Sequence, residues 1–206
     1  MKKIAVFVSG RGSNFAAVLE QIQHENIPAR IQCVISDHSC PPAFEIAEAA
    51  GIATHWIHRK QFRKADEYAG FLLALLAQYQ IDLIVLAGYL KLIPAPVVRR
   101  YPHAIMNIHP ALLPNFGGKG FYGLKVHQTV IESGVKITGV TVHFVDEHYD
   151  TGSIITQERV DVLPGDTAES LAARVLKVEH RVLPEAVMAF CEDRLKVVDG
   201  KVVWTS

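Results

Sequence analysis

Four short stretches of this chain are apolar without polar alternation: Ile4–Val8, Ile31–Ile35, Asp82–Gly88 and Ala104–His109. A strand that carries apolar side chains on both faces must be covered on both faces, which is the situation of a buried parallel strand. Helical patterns lie between these runs. Ala65, Tyr68, Ala69, Leu72, Leu75, Leu76 and Tyr79 recur at helical spacing, and that spacing puts them on one stripe. Phe15–Gln23 and Pro42–Ala50 supply two more crossovers. Strand–helix–strand units close as right-handed crossovers. The chain is therefore predicted to be α/β, a doubly wound, mostly parallel Rossmann-like sheet with helices on both faces.

The second half changes character. Residues 137–145 alternate, with Val140, Val142 and Phe144 opposite Thr141, His143 and Val145, and 154–162 reads as another strand. The connection Asp146–Gly152 is either a hairpin turn or a functional loop that a strand leads into. After Pro164-Gly165, Asp166 or Thr167 caps a helix. Its predicted buried face is Leu171, Val175, Val178, Val182 and Ala186, and Pro184 is predicted to kink or split it. The chain closes on an antiparallel extension, 195–198 and 202–204, joined by the hairpin signal Asp199-Gly200. No Pro-, Gly- or Ser-rich linker interrupts the sequence, so residues 1–206 are predicted to be one domain.

The 206 residues carry 21 Lys plus Arg and 21 Asp plus Glu. A neutral balance disfavours non-specific nucleic-acid binding, which needs a counterion-releasing basic surface. The longest apolar run, Phe71–Ala77, is far short of a membrane span. Lys2-Lys3 before Ile4–Val8 mimics an export signal, but that run is too short for one. The three cysteines form no CxxC, and an odd count suits a reducing cytoplasm.

Three places carry chemistry. The first is Ser9-Gly10-Arg11-Gly12-Ser13-Asn14, between a strand and a helix. Unpaired N–H groups and the positive dipole end at a helix start suit a phosphate, and the alternative is a bare tight turn. Gly10-x-Gly12 and Asp37 also fit part of a dinucleotide fingerprint, but Phe15 stands where that fingerprint needs a small third residue. The second is Asn107-Ile108-His109-Pro110. Period two puts Asn107 and His109 on one side of a strand, at the edge where open α/β sheets bind ligands. An amide and an imidazole there can stabilise an oxyanion, and the imidazole can move a proton. The third is Asp150-Thr151-Gly152. A carboxylate near His109 would raise the histidine pKa and keep it protonated at neutral pH. Cys33, His38 and Cys40, and His55 and His58, lack a second pair at structural-zinc spacing, so no metal is predicted.

Taken in order, Ser9–Asn14, Leu86-Ala87-Gly88-Tyr89-Leu90-Lys91-Leu92-Ile93, Asn107–Pro114 and the Gly139–Gly152 segment resemble the phosphoribosylglycinamide formyltransferases, a folate-dependent formyltransferase family. The resemblance covers nearly the whole chain. It implies transfer of a formyl group from the co-substrate 10-formyltetrahydrofolate to the amine of 5-phosphoribosylglycinamide in de novo purine biosynthesis. It implies Asn107, His109 and Asp150 as the catalytic trio, Gly12, Ser13 and Asn14 on the ribonucleotide phosphate, and Glu179 on the ribose hydroxyls. Leu90, Lys91, Leu92 and Ile93 would pack against the folate, and the backbone of 145–150 would meet the pterin edge. Lys64 is the nearest match to a basic residue that reaches the folate. Residues 1–105 would form the ribonucleotide-phosphate half and 106–206 the catalytic and folate-binding half, in a monomer or homodimer. Phe116–Gly123 is read as a glycine-rich lid or entrance. Four other readings stand beside this one. A methionyl-tRNA formyltransferase normally adds a basic C-terminal domain, and a formyltetrahydrofolate deformylase usually carries an N-terminal regulatory domain. A non-catalytic nucleotide-binding module would keep the glycine loop but have no use for the trio, and a dehydrogenase would bind NAD at Gly10–Asn14.

Overall fold

Two parallel neighbours, β1 (Lys2–Val8) and β4 (Leu83–Leu86), mark the point from which the sheet is laid out in opposite directions. On one side β2 (Ala29–Ser36) pairs with β1, and β3 (Ala53–Trp56) pairs with β2. On the other side β5 (Ile105–His109) pairs with β4. All of these pairings are parallel. With β6 (Ile137–Phe144) and β7 (Ile154–Asp161), which are antiparallel to each other, the order is β3-β2-β1-β4-β5-β6-β7. The mostly parallel α/β sheet read from the sequence is present. The reversal between β1 and β4 is a topological switch point, where open α/β sheets bind ligands beyond the carboxyl ends of their strands. This computed structural model describes residues 1–24 and 26–205. Glu25 and Ser206, both within the predicted domain, lie outside the described residues.

The chain divides into two compact units, Met1–Asn107 and Ile108–Ser206. In the first, α1 (Ser13–Gln23), α2 (Pro42–Ala49), α3 (Ala65–Gln78) and the short α4 (Ala95–Arg100) accompany the strands. Ile4–Val8 is wholly buried, together with Phe15, Leu72 and Leu76. Burial on that scale is worth roughly 1.5–3 kcal/mol for each large side chain. The strand β3 was not read from the sequence. It pairs with β2 alone, and none of its four residues is fully buried, so it carries no apolar run.

In the second unit β6 and β7 form a hairpin, joined through the Asp146–Gly152 connection. Helix α5 (Leu124–Glu132) buries Val126, His127 and Val130. Helix α6 (Ala168–Cys191) starts at Thr167, whose hydroxyl accepts the Ser170 N–H at 3.2 Å. Asp166 holds the preceding turn by accepting the Leu163 N–H at 2.7 Å and both guanidinium nitrogens of Arg174.

Of the two outcomes expected at Pro184, splitting does not occur: α6 runs unbroken for 24 residues, and Pro184 is buried among Val182, Leu183, Ala186 and Val187. Their burial offsets the one hydrogen bond a proline cannot donate. The buried face passes through Glu179 rather than Val178, which is half-buried. The strands β8 (Leu195–Val198) and β9 (Lys201–Trp204) form the antiparallel extension, and Trp204 Nε1 donates to the Ile155 carbonyl of β7 at 2.9 Å.

Candidate active site

The β6–β7 turn is built around Asp146, whose carboxylate accepts the His148 N–H at 2.9 Å and the Thr151 hydroxyl at 2.7 Å. Gly152 lets this turn close, because a Cβ there would strike the Phe144 carbonyl oxygen. The turn presents Asp150 with φ 58°, a left-handed conformation that Asp tolerates better than most residues. Of the two readings of the connection, the structure shows the hairpin, and its turn carries Asp150.

Asp150 meets three groups. Its Oδ2 lies 3.7 Å from His109 Nδ1 and accepts the Gly118 N–H at 2.8 Å, and its Oδ1 lies 3.6 Å from His143 Nε2. Burial pushes the carboxyl pKa up, but the facing His143 and His109 and the Gly118 N–H outweigh it. Asp150 is held below the usual carboxylate value. His143 is itself fixed, with Nδ1 donating to the Phe144 carbonyl at 2.8 Å. The sequence reading did not single out His143. Its alternation with Thr141 along β6 was the available signal, and both prove buried.

His109 donates from Nε2 to the Phe116 carbonyl at 2.8 Å. Both ring nitrogens thus face acceptors, a setting that suits the charged imidazolium. Burial is nevertheless the largest influence and lowers the pKa, while Asp150 and the Phe116 carbonyl raise it and His143 lowers it. The net pKa falls below the usual 6.5. Asp150 acts on His109 in the predicted direction, and burial acts against it as the larger influence. A third histidine, His127 on α5, is pushed down to about 4 by burial and by His109, and its Nδ1 is buried without a partner.

The residues after His109 are held by one hydroxyl. Thr141 Oγ1 donates to the Ala111 carbonyl at 2.7 Å and accepts the Leu113 N–H at 3.0 Å. Gln157 Nε2 donates to that hydroxyl and to the Leu113 carbonyl, each at 2.9 Å. The Leu113–Pro114 peptide is cis.

In the other unit, Gly12 precedes α1 with φ 77°, and Ser13 and Asn14 open the helix. The first N–H groups of a helix have no partner within it, so they are available to an anion. The glycine itself is required for another reason. A Cβ at Gly12 would lie 2.6 Å from the Ala43 Cβ, whereas one at Gly10 would meet nothing within 4 Å. Ser9 donates to Asp37 Oδ1 at 2.6 Å. Asp37, the acid that a dinucleotide reading would place on a ribose, is thereby tied into the fold.

A profile of known proteins described as formyl transferase matches residues 2–187. The chain belongs to the formyl transferase family. It is 46% identical over 198 residues to a chloroplastic phosphoribosylglycinamide formyltransferase from Vigna unguiculata, covering 94% of this chain and 62% of that one, so it spans less than two thirds of that relative. A phosphoribosylglycinamide formyltransferase from Haemophilus influenzae is 37% identical over 97% of this chain and 92% of its own. Among solved structures, glycinamide ribonucleotide transformylase 1 from Symbiobacterium toebii superposes with a TM-score of 0.93 at 38% identity, over 100% of this chain and 95% of that one.

The remaining candidate residues of this formyl transferase are spread over several elements. After β4, Tyr89 and Ile93 are buried, while Leu90 and Leu92 are each 41% exposed beside exposed Lys91. The side chain of Ile93 is therefore core. Lys64 is exposed at the start of α3, where its N–H donates to Glu67 Oε2 at 3.2 Å. Glu179 is buried on α6. Asn107 precedes His109 by two residues on β5. Among the described residues, no group of three or more His, Cys, Asp or Glu is placed to hold a metal ion. Among them, too, no helix is long and apolar enough to cross a membrane.

Proposed function

We propose that this formyl transferase moves the formyl group of 10-formyltetrahydrofolate to the amine of 5-phosphoribosylglycinamide, giving formylglycinamide ribonucleotide in de novo purine biosynthesis. The observation that carries the reading is the Asp150 carboxylate held between His109 and His143, with Asn107 two residues before His109 on β5. The named relatives support the choice of substrates.

The neutral amine attacks the formyl carbon, and a C–N bond forms as the carbonyl oxygen takes up negative charge. Asn107 and His109 donate hydrogen bonds to that oxygen, and Asp150 orients the imidazole and opposes the effect of burial on its pKa. Collapse of the tetrahedral intermediate breaks the bond to folate N10, which takes a proton as the former amine loses one. His109 Nε2–H is engaged by Phe116 in this structure, so the 116–118 stretch must release it before the formyl oxygen can use it. Gly12, Ser13 and Asn14 hold the substrate phosphate, and Glu179 holds its ribose hydroxyls. Leu90, Lys91 and Leu92 receive the folate, and Lys64 reaches its acidic end. Cys33, Cys40 and Cys191 form no disulfide, which supports action in a reducing cytoplasm.

The test is a formyl-transfer assay with both substrates beside a control without acceptor. Formyl should appear on the ribonucleotide as folate is consumed, with no consumption in the control. Release of formate in the control at the same rate would replace this reading with that of a deformylase.

A further inference from the structure

At the switch point, the segment leaving β4 is stitched to the end of β1. The Ser9 N–H donates to the Gly88 carbonyl at 3.2 Å, and the Tyr89 ring stands edge-on to Phe7 at 5.3 Å. The Leu90 N–H donates to Ser9 Oγ at 3.0 Å, and that hydroxyl donates its one hydrogen bond to Asp37 Oδ1 at 2.6 Å. Oδ1 is also 3.0 Å from His38 Nδ1, and Oδ2 is 3.7 Å from Lys91 Nζ. Asp37 is only 6% exposed. Burying a carboxylate is costly, and apolar residues would hold strand ends together at lower cost.

We infer that Ser9 and Asp37 form a positioning unit for co-substrate binding by this enzyme, resting on the reading that Leu90–Leu92 receives the folate. A free hydroxyl can turn its proton in several directions. Because Asp37 accepts the hydroxyl's hydrogen bond, the Ser9 lone pair has to face the Leu90 N–H. The charge at Asp37 strengthens both bonds in the chain. The same carboxylate draws in the ammonium of Lys91. The unit therefore sets where Leu90 and Leu92 present their exposed apolar surface, between the buried anchors Tyr89 and Ile93. Ser9 and Asp37 touch no substrate. They act through the 88–92 backbone.

The experiment measures KM for each substrate, kcat and melting temperature in purified variants. Ser9→Ala should raise KM for 10-formyltetrahydrofolate about tenfold, the scale of one buried charge-assisted hydrogen bond. Its kcat and its KM for the ribonucleotide should change by less than about threefold. Ser9→Thr, which keeps the hydroxyl, should restore the folate KM, and Asp37→Asn should fall between. An unchanged folate KM in folded Ser9→Ala overturns the proposal. So does an equal rise in both KM values with a lowered melting temperature, which marks a merely structural role. Leu92→Asp separates folate contact from positioning. If it raises the folate KM while Ser9→Ala does not, the positioning role alone fails. If Leu92→Asp leaves that KM unchanged, the folate assignment of the segment fails and takes the proposal with it.

Discussion

His109 and Asp150 face each other at 3.7 Å, and each is also held by the same short stretch of backbone: the ring by the Phe116 carbonyl, the carboxylate by the Gly118 N–H. Two residues of the glycine-rich loop, Phe116 and Gly118, thus carry one contact to each partner. If His109 is an oxyanion donor, His109→Ala and Asn107→Ala should each lower kcat at least tenfold without loss of fold. Removing one such donor typically costs about 2.7–4 kcal/mol of transition-state stabilisation. Steady-state kinetics on folded protein checks this, and near-normal turnover of His109→Ala would remove the residue from the mechanism.

His143 helps keep Asp150 ionised, so its loss should be visible in the pH profile. In His143→Ala the Asp150 pKa should rise toward or above the ordinary carboxylate value, because burial then meets less opposition. The acid limb of kcat should move to higher pH, with kcat lowered on the order of tenfold at its plateau. A limb that stays in place would mean that His109 and Gly118 suffice.

The depressed His127 pKa of about 4 makes a stability prediction. Between about pH 4 and the unfolded value near 6.5, the unfolded chain binds a proton that the folded one refuses. Folding stability should therefore rise with pH across that window and be flat with respect to this group below it. The rise is on the order of 2 kcal/mol after discounting for solvent screening. Urea titrations at pH 4.5 and 7 should show a smaller difference in His127→Gln than in the parent protein. An identical difference would place His127 in a more solvated setting.

Gly12 separates a folding role from a ligand role. Gly12→Ala must accept φ 77° and a Cβ that meets Ala43, so it should cost about 2 kcal/mol or more in stability. Ala43→Gly in the same chain should recover the packing part. Ser13→Ala removes a side-chain donor alone, and it should weaken ribonucleotide binding by calorimetry while stability holds. Unchanged binding would put the phosphate elsewhere.

Amino-acid order alone determined the strands that are covered on both faces, because a doubly buried strand has to be apolar throughout: Ile4–Val8 and Leu83–Leu86 show it directly. It did not reveal β3, whose single pairing leaves Thr54 and His55 half-buried, nor that Glu179 rather than Val178 joins the buried face of α6. It marked Asn107, His109 and Asp150 as side chains at a strand end and in a turn. The partners of those groups were decided by tertiary structure. Period two states which side of β6 carries His143, not that a turn built on Asp146 will swing a carboxylate back to within 3.6 Å of it. Composition cannot say how deeply a ring is buried, and for His109 that depth outweighs the neighbouring charge. Local pattern is set by backbone geometry, which neighbours in sequence share. Proton affinity is set by desolvation and by groups far along the chain, and these exist only once it has folded.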